Sequence, residues 1–311
     1  MTVNETTKNE KRAIAKAITL IEEGGPQAIS LLQTIYKRSG NSHLIGITGP
    51  PGVGKSTLID ALIVEIRKNN LKVGVLAVDP SSPFSGGAIL GDRIRMQAHT
   101  LDSGVFIRSM ANRGFAGGIA LAVHDAIRVL EAYGYDIIII ETVGVGQSEL
   151  AIAKLADTTI LALMPGSGDD IQAIKSGIME IGDIFVINKG DLPGANKAAT
   201  NILQSLDLVQ EKGPWTPPVL ISTAQDGNGI KELWQALQEH FNHLKSSNEL
   251  ETRRKQRIKA ELAELVAYKI RTSCLDSIEH LDLAKKLVDD VYQRKQDPHT
   301  AAQSLIKLLN N

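Results

Sequence analysis

Hydrophobic positions repeat with two different periods along the chain. Between about residues 10 and 37 they recur every three or four residues, as on one face of an amphipathic helix, and Gly24-Gly25-Pro26 divides this stretch into two runs. From residue 43 onward, short β-rich runs alternate with further helical runs. The pattern therefore predicts a helical hairpin that precedes an α/β domain.

Seven of the short runs are apolar at nearly every position. They lie at 44–48, 72–78, 104–109, 136–140, 159–164, 183–188 and 218–222. Strands have this composition when helices cover both faces of their sheet, as in parallel α/β folds. We therefore predict an α/β fold with a mostly parallel sheet flanked by helices.

The strand-like runs stop after about residue 245, and helical stripes follow. In the last of these helices, Asp297-Pro298 has the N-cap residue and the first-position proline that open a helix. We divide the chain into an N-terminal helical extension over 1–42, a central α/β domain over 43–245 and a C-terminal helical arm over 246–311.

Composition excludes several classes of protein. A chain of 311 residues with 43% hydrophobic content can bury a large core, which excludes disorder as its main state. The 34 Lys and Arg against 35 Asp and Glu leave a net charge of −1, so no overall field draws the chain to nucleic acid or an anionic membrane. The basic stretch from Arg253 to Lys259 is interpreted as a solvent-exposed helix face.

Cysteine content and apolar runs bear on localisation. Cys274 is the only cysteine, so it can form no intrachain disulfide and no multi-thiolate metal site. The longest apolar run, Ile137 to Ile140, is too short to span a bilayer, and the first residues lack the apolar stretch of a signal peptide. We expect a soluble cytoplasmic protein with no nucleic-acid or membrane partner.

The most specific motif is a phosphate-binding loop. It matches G-x-x-x-x-G-K-S/T, follows the first predicted strand and precedes a helical run, and its residues are Gly49, Pro50, Pro51, Gly52, Val53, Gly54, Lys55 and Ser56, with Thr57 next. Glycines let backbone N–H groups turn toward phosphate oxygens, and the helix N-terminus adds partial positive charge. In this motif Lys55 reaches the β- and γ-phosphates and the Ser56 hydroxyl is a ligand of Mg²⁺.

Two later segments point to guanine as the base. Asn188-Lys189-Gly190-Asp191 follows the sixth predicted strand, where the Asp191 carboxylate would accept hydrogen bonds from guanine N1 and N2. Adenine lacks this donor pair, so it would leave the carboxylate unsatisfied. Ser222-Thr223-Ala224 follows the last strand, where a loop would offer backbone N–H to the base oxygen; a simple strand end is the alternative.

Carboxylates at strand ends are candidates for the magnesium site. Glu141 ends the fourth strand, where many GTPases have Asp, and the Gly144 amide that follows would contact the γ-phosphate. Asp79 and Asp92 are further candidates, with ordinary turn or capping roles as the alternative.

Val145 occupies the place of the water-orienting glutamine of Ras-like enzymes, so we expect slow intrinsic hydrolysis. Gln147 is the nearby candidate to orient the water, and a solvated loop glutamine is the alternative reading.

A set of segments in fixed order resembles one family. GPPGVGKST, DPSSPFSGGAILGDRIRM, FIRSMANRG, ETVGVGQSE, PGSGDDIQAIKSGIMEIGD and NKGD together resemble the MeaB/ArgK/MMAA family of P-loop GTPases, and the likeness covers nearly the whole chain. The resemblance implies a homodimer whose subunits have a central G domain between helical extensions. It also implies a GTPase that acts as chaperone of an adenosylcobalamin-dependent acyl-CoA mutase such as methylmalonyl-CoA mutase, gating cofactor loading and protecting or reactivating the mutase.

The resemblance also assigns roles to residues. Lys55 and Ser56 would bind phosphate and Mg²⁺, Asp79, Asp92 and Glu141 would form the magnesium environment, and Asp191 would read the guanine of GTP or GDP. The stretch from Gly166 to Ile178 resembles an additional switch that couples nucleotide state to the mutase. For catalysis itself the candidates are Lys55, Glu141 and Gln147.

Two other functions compete with this one. A metallochaperone GTPase for nickel enzymes shares the P-loop but needs thiolate or imidazole ligands at close spacing, which one cysteine and scattered histidines do not provide. A transport-linked ATPase or kinase is an older label for such sequences, and the Asn188–Asp191 segment argues against its preference for ATP. The sequence leaves the identity of the acyl-CoA mutase open.

Overall fold

A seven-stranded parallel sheet forms the centre of the fold. The computed structural model describes residues 3–79, 99, 101–111, 121–142, 148–166, 178–208, 213–280 and 282–309. The strands pair in the order β3-β2-β4-β1-β5-β6-β7, and every pairing is parallel. Their bounds are β1 His43–Thr48, β2 Val73–Asp79, β3 Val105–Ala111, β4 Ile137–Thr142, β5 Thr158–Leu163, β6 Ile184–Ile187 and β7 Val219–Ile221. All seven predicted strands and the predicted fold class are confirmed.

Ten α-helices occur among the described residues. They are α1 Val3–Glu23, α2 Pro26–Ile35, α3 Lys55–Arg67, α4 Leu121–Ala132, α5 Ser148–Leu155, α6 Ala195–Asp207, α7 Ile230–Ser246, α8 Glu249–His280, α9 Asp282–Tyr292 and α10 Pro298–Leu309. The predicted hairpin is α1 and α2. The predicted cap of α10 is also confirmed, because Asp297 Oδ1 accepts the backbone N–H of His299 at 2.9 Å and of Thr300 at 3.0 Å. None of the described helices is both long and apolar enough to cross a membrane.

Successive residues of a strand pack into different apolar clusters on the two faces of the sheet, which explains why the strands are apolar throughout. In β4, Ile137 and Ile139 join a cluster with α3 and α7 on one face of the sheet. Ile138 and Ile140 join a second cluster, with α1, α4 and α5, on the other face. A third cluster places α6 against β5 and β6. Because successive side chains of a strand point to opposite faces, a sheet covered on both sides needs apolar residues at both parities.

The chain separates into two compact units, Met1–Arg254 and Lys255–Asn311. The N-terminal hairpin belongs to the first unit, where Ile14 and Ile18 of α1 are fully buried in the cluster that contains α4. The second unit contains most of α8 together with α9 and α10. The finer division at residues 42 and 245 remains a prediction.

A chain of polar side chains lies at the amino-terminal ends of β1 and β5. His43 Nε2 is 2.7 Å from Thr158 Oγ1, and the same hydroxyl is 2.8 Å from His240 Nδ1. The His43 ring stacks on Phe241 with centroids 4.0 Å apart. Burial lowers the pKa of His43 to about 3, against an opposing contribution from Asp157. His43 is therefore a neutral residue of the core at ordinary pH.

The interpretation of the basic stretch from Arg253 to Lys259 as a solvent-exposed helix face is wrong for its first two arginines. Arg253 pairs with Asp183 at 3.0 Å and Arg254 pairs with Asp157 at 2.8 Å, so these two side chains face the sheet rather than solvent. The sequence run contains no periodic apolar signal that would have distinguished them from their exposed neighbours such as Lys259.

The neutral state of His43 predicts a pH-dependent stability. Its folded pKa lies below the unfolded value of 6.5, so its contribution is present above about pH 6.5 and is lost as the pH falls toward about 3. We expect this residue alone to remove about 1–2 kcal/mol of unfolding free energy between pH 6.5 and 5, at about 1.4 kcal/mol per pKa unit. The groups that act on it are Asp157, His240, Arg254 and Lys245.

Denaturant titrations of wild type and His43→Phe at pH 5, 6, 7 and 8 measure this effect. The variant is expected to lose stability at pH 7, because the Thr158 contact is gone, and to approach the wild type as the pH falls. The same titration of His299→Phe, which changes an exposed histidine, controls for unrelated ionisations. Parallel stability curves for wild type and His43→Phe would contradict the assignment.

Candidate nucleotide-binding site

The phosphate-binding loop runs from the end of β1 to the start of α3, and its first and last glycines permit its shape. Gly49 has a φ of +141°, and a Cβ there would lie 2.0 Å from the carbonyl oxygen of Ala162 in β5. Gly54 has a φ of +89°, and a Cβ there would lie 2.7 Å from Asn188 Nδ2. Only glycine fits at either position without displacing backbone or a buried amide. The motif therefore follows from the close approach of neighbouring chain segments.

The first turn of α3 carries the two side chains that the sequence predicts to bind phosphate and Mg²⁺. Lys55 is buried, and its Nζ donates to the carbonyl oxygens of Gly49 at 2.8 Å and Pro50 at 3.1 Å, so it extends back across the loop. Ser56 Oγ donates to Glu141 Oε1 at 2.9 Å. Glu141 is 2% exposed, which marks it as a buried carboxylate at the end of β4. The sheet order explains this meeting, because β4 pairs directly with β1.

A hydroxyl and a carboxylate at this distance fit a magnesium ion. Both are hard oxygen ligands of the kind that Mg²⁺ prefers, and a nucleotide would supply further oxygens. Among the described residues no group of three or more His, Cys, Asp or Glu side chains forms a metal site by itself.

Asn188 connects the phosphate-binding loop to the two base-recognition segments. Its Nδ2 donates to the carbonyl oxygens of Val53 at 2.9 Å and Gly54 at 3.4 Å. Its Oδ1 accepts from Ser222 Oγ and from the backbone N–H of Ala224, both at 3.2 Å. The buried amide thus uses two donors and two acceptor positions, which is its full capacity. Sequence reasoning placed Asn188 in a base-binding motif but missed this connecting role.

The remainder of the Asn188–Asp191 segment is oriented by backbone contacts. Lys189 has a φ of +56°, and its Nζ donates to Gly52 O at 2.7 Å. The Gly190 N–H donates to Ser222 O at 2.8 Å. These contacts hold the segment beside the phosphate-binding loop and leave Asp191 exposed to solvent. An exposed carboxylate beside that loop is accessible to a base.

Backbone N–H groups of the segment Ser222-Thr223-Ala224 donate hydrogen bonds to other groups of the protein. Thr223 N donates to Asn228 O at 3.1 Å, and Ala224 N donates to Asn188. The structure therefore places this loop next to the base-recognition segment. Its contact with the base oxygen remains a prediction.

Several predicted site residues lie outside the described part of the chain. Asp92, Gly144 and Gln147 are not described, and of Asp79 the structure describes only the backbone, as the last residue of β2. The described residues unite Gly49–Thr57, Glu141, Asn188–Asp191 and Ser222–Ala224 at the carboxyl edge of the sheet. Ligands bind at this edge in open parallel sheets.

The geometry agrees with a family match. The family described as "Methylmalonyl Co-A mutase-associated GTPase MeaB" matches residues 14–278. This chain belongs to that family. The MeaB family is a family of GTPases, so the site at the carboxyl edge of the sheet belongs to a GTP-hydrolysing enzyme.

Relatives cover nearly the full chain. A protein of Pyrococcus horikoshii is 46% identical over 308 residues, which are 98% of this chain and 96% of that protein. The mitochondrial methylmalonic aciduria type A homolog of Caenorhabditis elegans is 35% identical over 316 residues, covering 96% of this chain and 79% of its own. A solved structure of a LAO/AO transport system kinase is 28% identical, with a TM-score of 0.70 and full coverage of both chains.

The position of Asp191 predicts the base preference of this MeaB-family protein. Asp191→Asn replaces an acceptor by a donor, so we expect GTP affinity to fall about 10- to 100-fold, as for loss of hydrogen bonds to a charged group. Xanthosine triphosphate, which accepts where guanine donates, should bind more tightly to the variant.

Competition binding of GTP, ATP and xanthosine triphosphate measures this change. Asp289→Asn makes the same substitution at an exposed residue of α9 and should leave all three affinities as in the wild type. If Asp191→Asn keeps the wild-type preference for GTP over xanthosine triphosphate, Asp191 does not read the base.

Proposed function

We propose that this GTPase acts as a chaperone of an adenosylcobalamin-dependent acyl-CoA mutase, such as methylmalonyl-CoA mutase, and gates cofactor loading, protection and reactivation of that enzyme. The observation that carries the proposal is the family match over residues 14–278, which extends beyond the nucleotide-binding segments into α8. The name of the family itself associates its members with the mutase. A cytoplasmic location fits the single cysteine, which suits a reducing compartment.

Magnesium with GTP or GDP is the cofactor we propose, with Ser56 and Glu141 as the described residues that would hold the ion. Such an ion neutralises charge on the phosphate chain. Asp79 and Asp92 are proposed for the same environment from their positions in the sequence. Lys55, in the first turn of α3, would place its charge against the β- and γ-phosphates after leaving the carbonyl oxygens of Gly49 and Pro50.

Hydrolysis by the isolated chain is proposed to be slow. Val145 stands where Ras-like enzymes have a water-orienting glutamine, and Gln147 is our candidate substitute. A mutase that contacts the stretch from Gly166 to Ile178, of which residues 167–177 lie outside the described part of the chain, would complete the site and raise the rate. Since coupling between two binding events is reciprocal, the nucleotide state must then alter affinity for the mutase.

Steady-state GTPase assays with and without the mutase test this proposal. The cognate mutase is obtained by copurification with the full chain and identified with a panel of acyl-CoA substrates. We expect at least a tenfold acceleration, from about 1.4 kcal/mol of added transition-state stabilisation. Asp170→Ala and Lys175→Ala should blunt the stimulated rate and keep the basal rate, and Lys55→Ala sets the background.

Two results together would refute the chaperone function. These are equal hydrolysis rates in the presence and absence of the copurified mutase, and affinities for that mutase that are the same with GDP and with a non-hydrolysable GTP analogue.

We also propose a homodimer, built through the C-terminal arm. Apolar side chains on α8 and α9 are unusually exposed for their size, with Leu262 at 57%, Val266 at 56% and Tyr292 at 85%. Leu262 and Val266 are four residues apart and so share one face of α8. Such a face gains free energy when a second copy covers it.

Sedimentation velocity at micromolar concentration measures the assembly state. We expect a dimer for the full chain and a shift toward monomer for Leu262→Glu/Val266→Glu, because burial of two carboxylates in an apolar interface is unfavourable. Nucleotide affinity of the variant should stay at the wild-type value, which shows that the first unit is folded. A monomeric wild-type chain would contradict the proposal.

A transport-linked kinase is the second candidate, on the basis of the name of the solved structure that covers this chain. The Asn188–Asp191 segment favours guanine, so competition by ATP in the binding assay above separates the two candidates. A nickel metallochaperone has weaker support, since the sequence has one cysteine and scattered histidines where such a protein needs thiolate or imidazole ligands at close spacing.

A further inference from the structure

Two buried aspartates mark the amino-terminal ends of neighbouring strands, at the edge of the sheet opposite the nucleotide site. Asp157 directly precedes β5 and its side chain is 0% exposed, while Asp183 directly precedes β6 with its side chain 12% exposed. Each carboxylate accepts a backbone N–H from the adjacent strand, Asp157 from Leu44 at 3.1 Å and Asp183 from Thr159 at 2.8 Å. Two buried negative charges at this edge require positive partners.

Consecutive arginines of α8 provide these partners. Arg253 donates to both oxygens of Asp183 at 3.1 and 3.0 Å, and Arg254 donates to both oxygens of Asp157 at 3.2 and 2.8 Å. Burial would raise the pKa of Asp183, but the nearby His240 imidazole and the hydrogen bonds from Arg253 outweigh it and hold the pKa below its usual value. We call Asp157, Asp183, Arg253 and Arg254 the arginine clamp.

The geometry of the clamp restrains both the position of the first turns of α8 and their rotation about the helix axis. Adjacent residues of a helix project about 100° apart, so two bidentate pairs at Arg253 and Arg254 oppose rotation of the helix about its axis as well as its withdrawal. Arg254 also donates to the carbonyl oxygens of Gly40 at 2.5 Å and Ser42 at 2.8 Å, just before β1. The first turns of α8 are thereby connected to the beginnings of β1, β5 and β6.

Among the described residues, the first turns of α8 are attached to the sheet by the arginine contacts and not through the apolar clusters. None of the residues in the three apolar clusters of the described chain lies on α8. Bidentate arginine–carboxylate contacts are directional, so they hold the start of the helix in a fixed geometry relative to the strand ends. The helix itself continues without interruption past Arg254 to His280.

The strands that hold the clamp also hold the nucleotide site. Asp183 and Asn188 flank β6, which is only four residues long, and the two are about 16 Å apart at about 3.3 Å per residue. Ser42 and Gly49 flank β1 in the same way. Short strands thus join Asp183 to Asn188, and join Ser42, whose carbonyl oxygen Arg254 contacts, to Gly49.

We propose that the arginine clamp couples the nucleotide state at the carboxyl edge of the sheet to the first turns of α8, with Arg253 and Arg254 as positioning residues. The proposal rests on GTP binding at the described site and is independent of which mutase is the partner. Asp157 and Asp183 act by holding these two arginines.

Hydrogen–deuterium exchange of the full chain tests this coupling. Exchange in residues 249–260 is compared between the GDP complex and the complex with a non-hydrolysable GTP analogue. In the wild type we expect a difference between the two complexes in this segment. In Arg253→Lys/Arg254→Lys the charges remain but the bidentate geometry is lost, so the difference should fall at least twofold while GTP affinity stays within about twofold of wild type.

The lysine pair is preferred because alanines would leave two buried carboxylates unpaired and destabilise the fold. Arg271→Lys makes the same chemical change at an exposed arginine of the same helix and should keep the full difference. A wild type without a nucleotide-dependent difference in residues 249–260 would overturn the proposal, and so would a lysine variant that retains it in full. Loss of the difference together with GTP affinity would also overturn it, since the arginines would then act on the site itself.

Failure of this proposal is distinguishable from failure of the chaperone function. Mutase-stimulated hydrolysis is measured without reference to α8, and the exchange experiment contains no mutase.

Discussion

The buried amide of Asn188 is the contact on which the candidate site depends. One side chain donates to the phosphate-binding loop, 135 positions earlier, and accepts from the loop after β7, 36 positions later, so three distant segments share one hydrogen-bonded centre. Its four contacts leave no alternative amide orientation that satisfies all partners, because carbonyl groups face Nδ2 and donors face Oδ1. The segments proposed for phosphate binding and for base recognition are for this reason two parts of one structure.

Buried polar groups also hold distant segments together at the opposite edge of the sheet. Asp157 and Asp183 are buried where strands begin, and burial of a charge is favourable only with a fixed partner of opposite charge. Arg253 and Arg254 meet that requirement and bind the start of α8 to the sheet. The histidine–threonine chain from His43 to His240 ends 3.4 Å from Asp183, so neutral and charged groups form one continuous polar layer beneath β1, β5 and β6.

Local signals predicted much of this architecture because their causes are local. Apolar runs at 136–140 and 183–188 predicted strands since both faces of the sheet are covered, and the glycines of the phosphate-binding loop are required by the close approach of the chain at Gly49 and Gly54. The sequence also predicted the N-cap at Asp297, because an N-cap contacts N–H groups only two and three residues away. Contacts between distant residues left no such signal: Arg253 and Arg254 stand in a basic run like any solvated helix face.

The sequence by itself determined the fold class, the phosphate-binding loop, the guanine-type segment and the resemblance to the MeaB family. Only the tertiary structure decided which side chains meet: Ser56 contacts Glu141 across 85 positions because β1 lies beside β4, and Arg253 contacts Asp183 across 70 because α8 starts beneath β6. The physical reason is that residue type and spacing encode local geometry and burial. The order of strands in a sheet, in contrast, arises from the packing of all helices and strands at once.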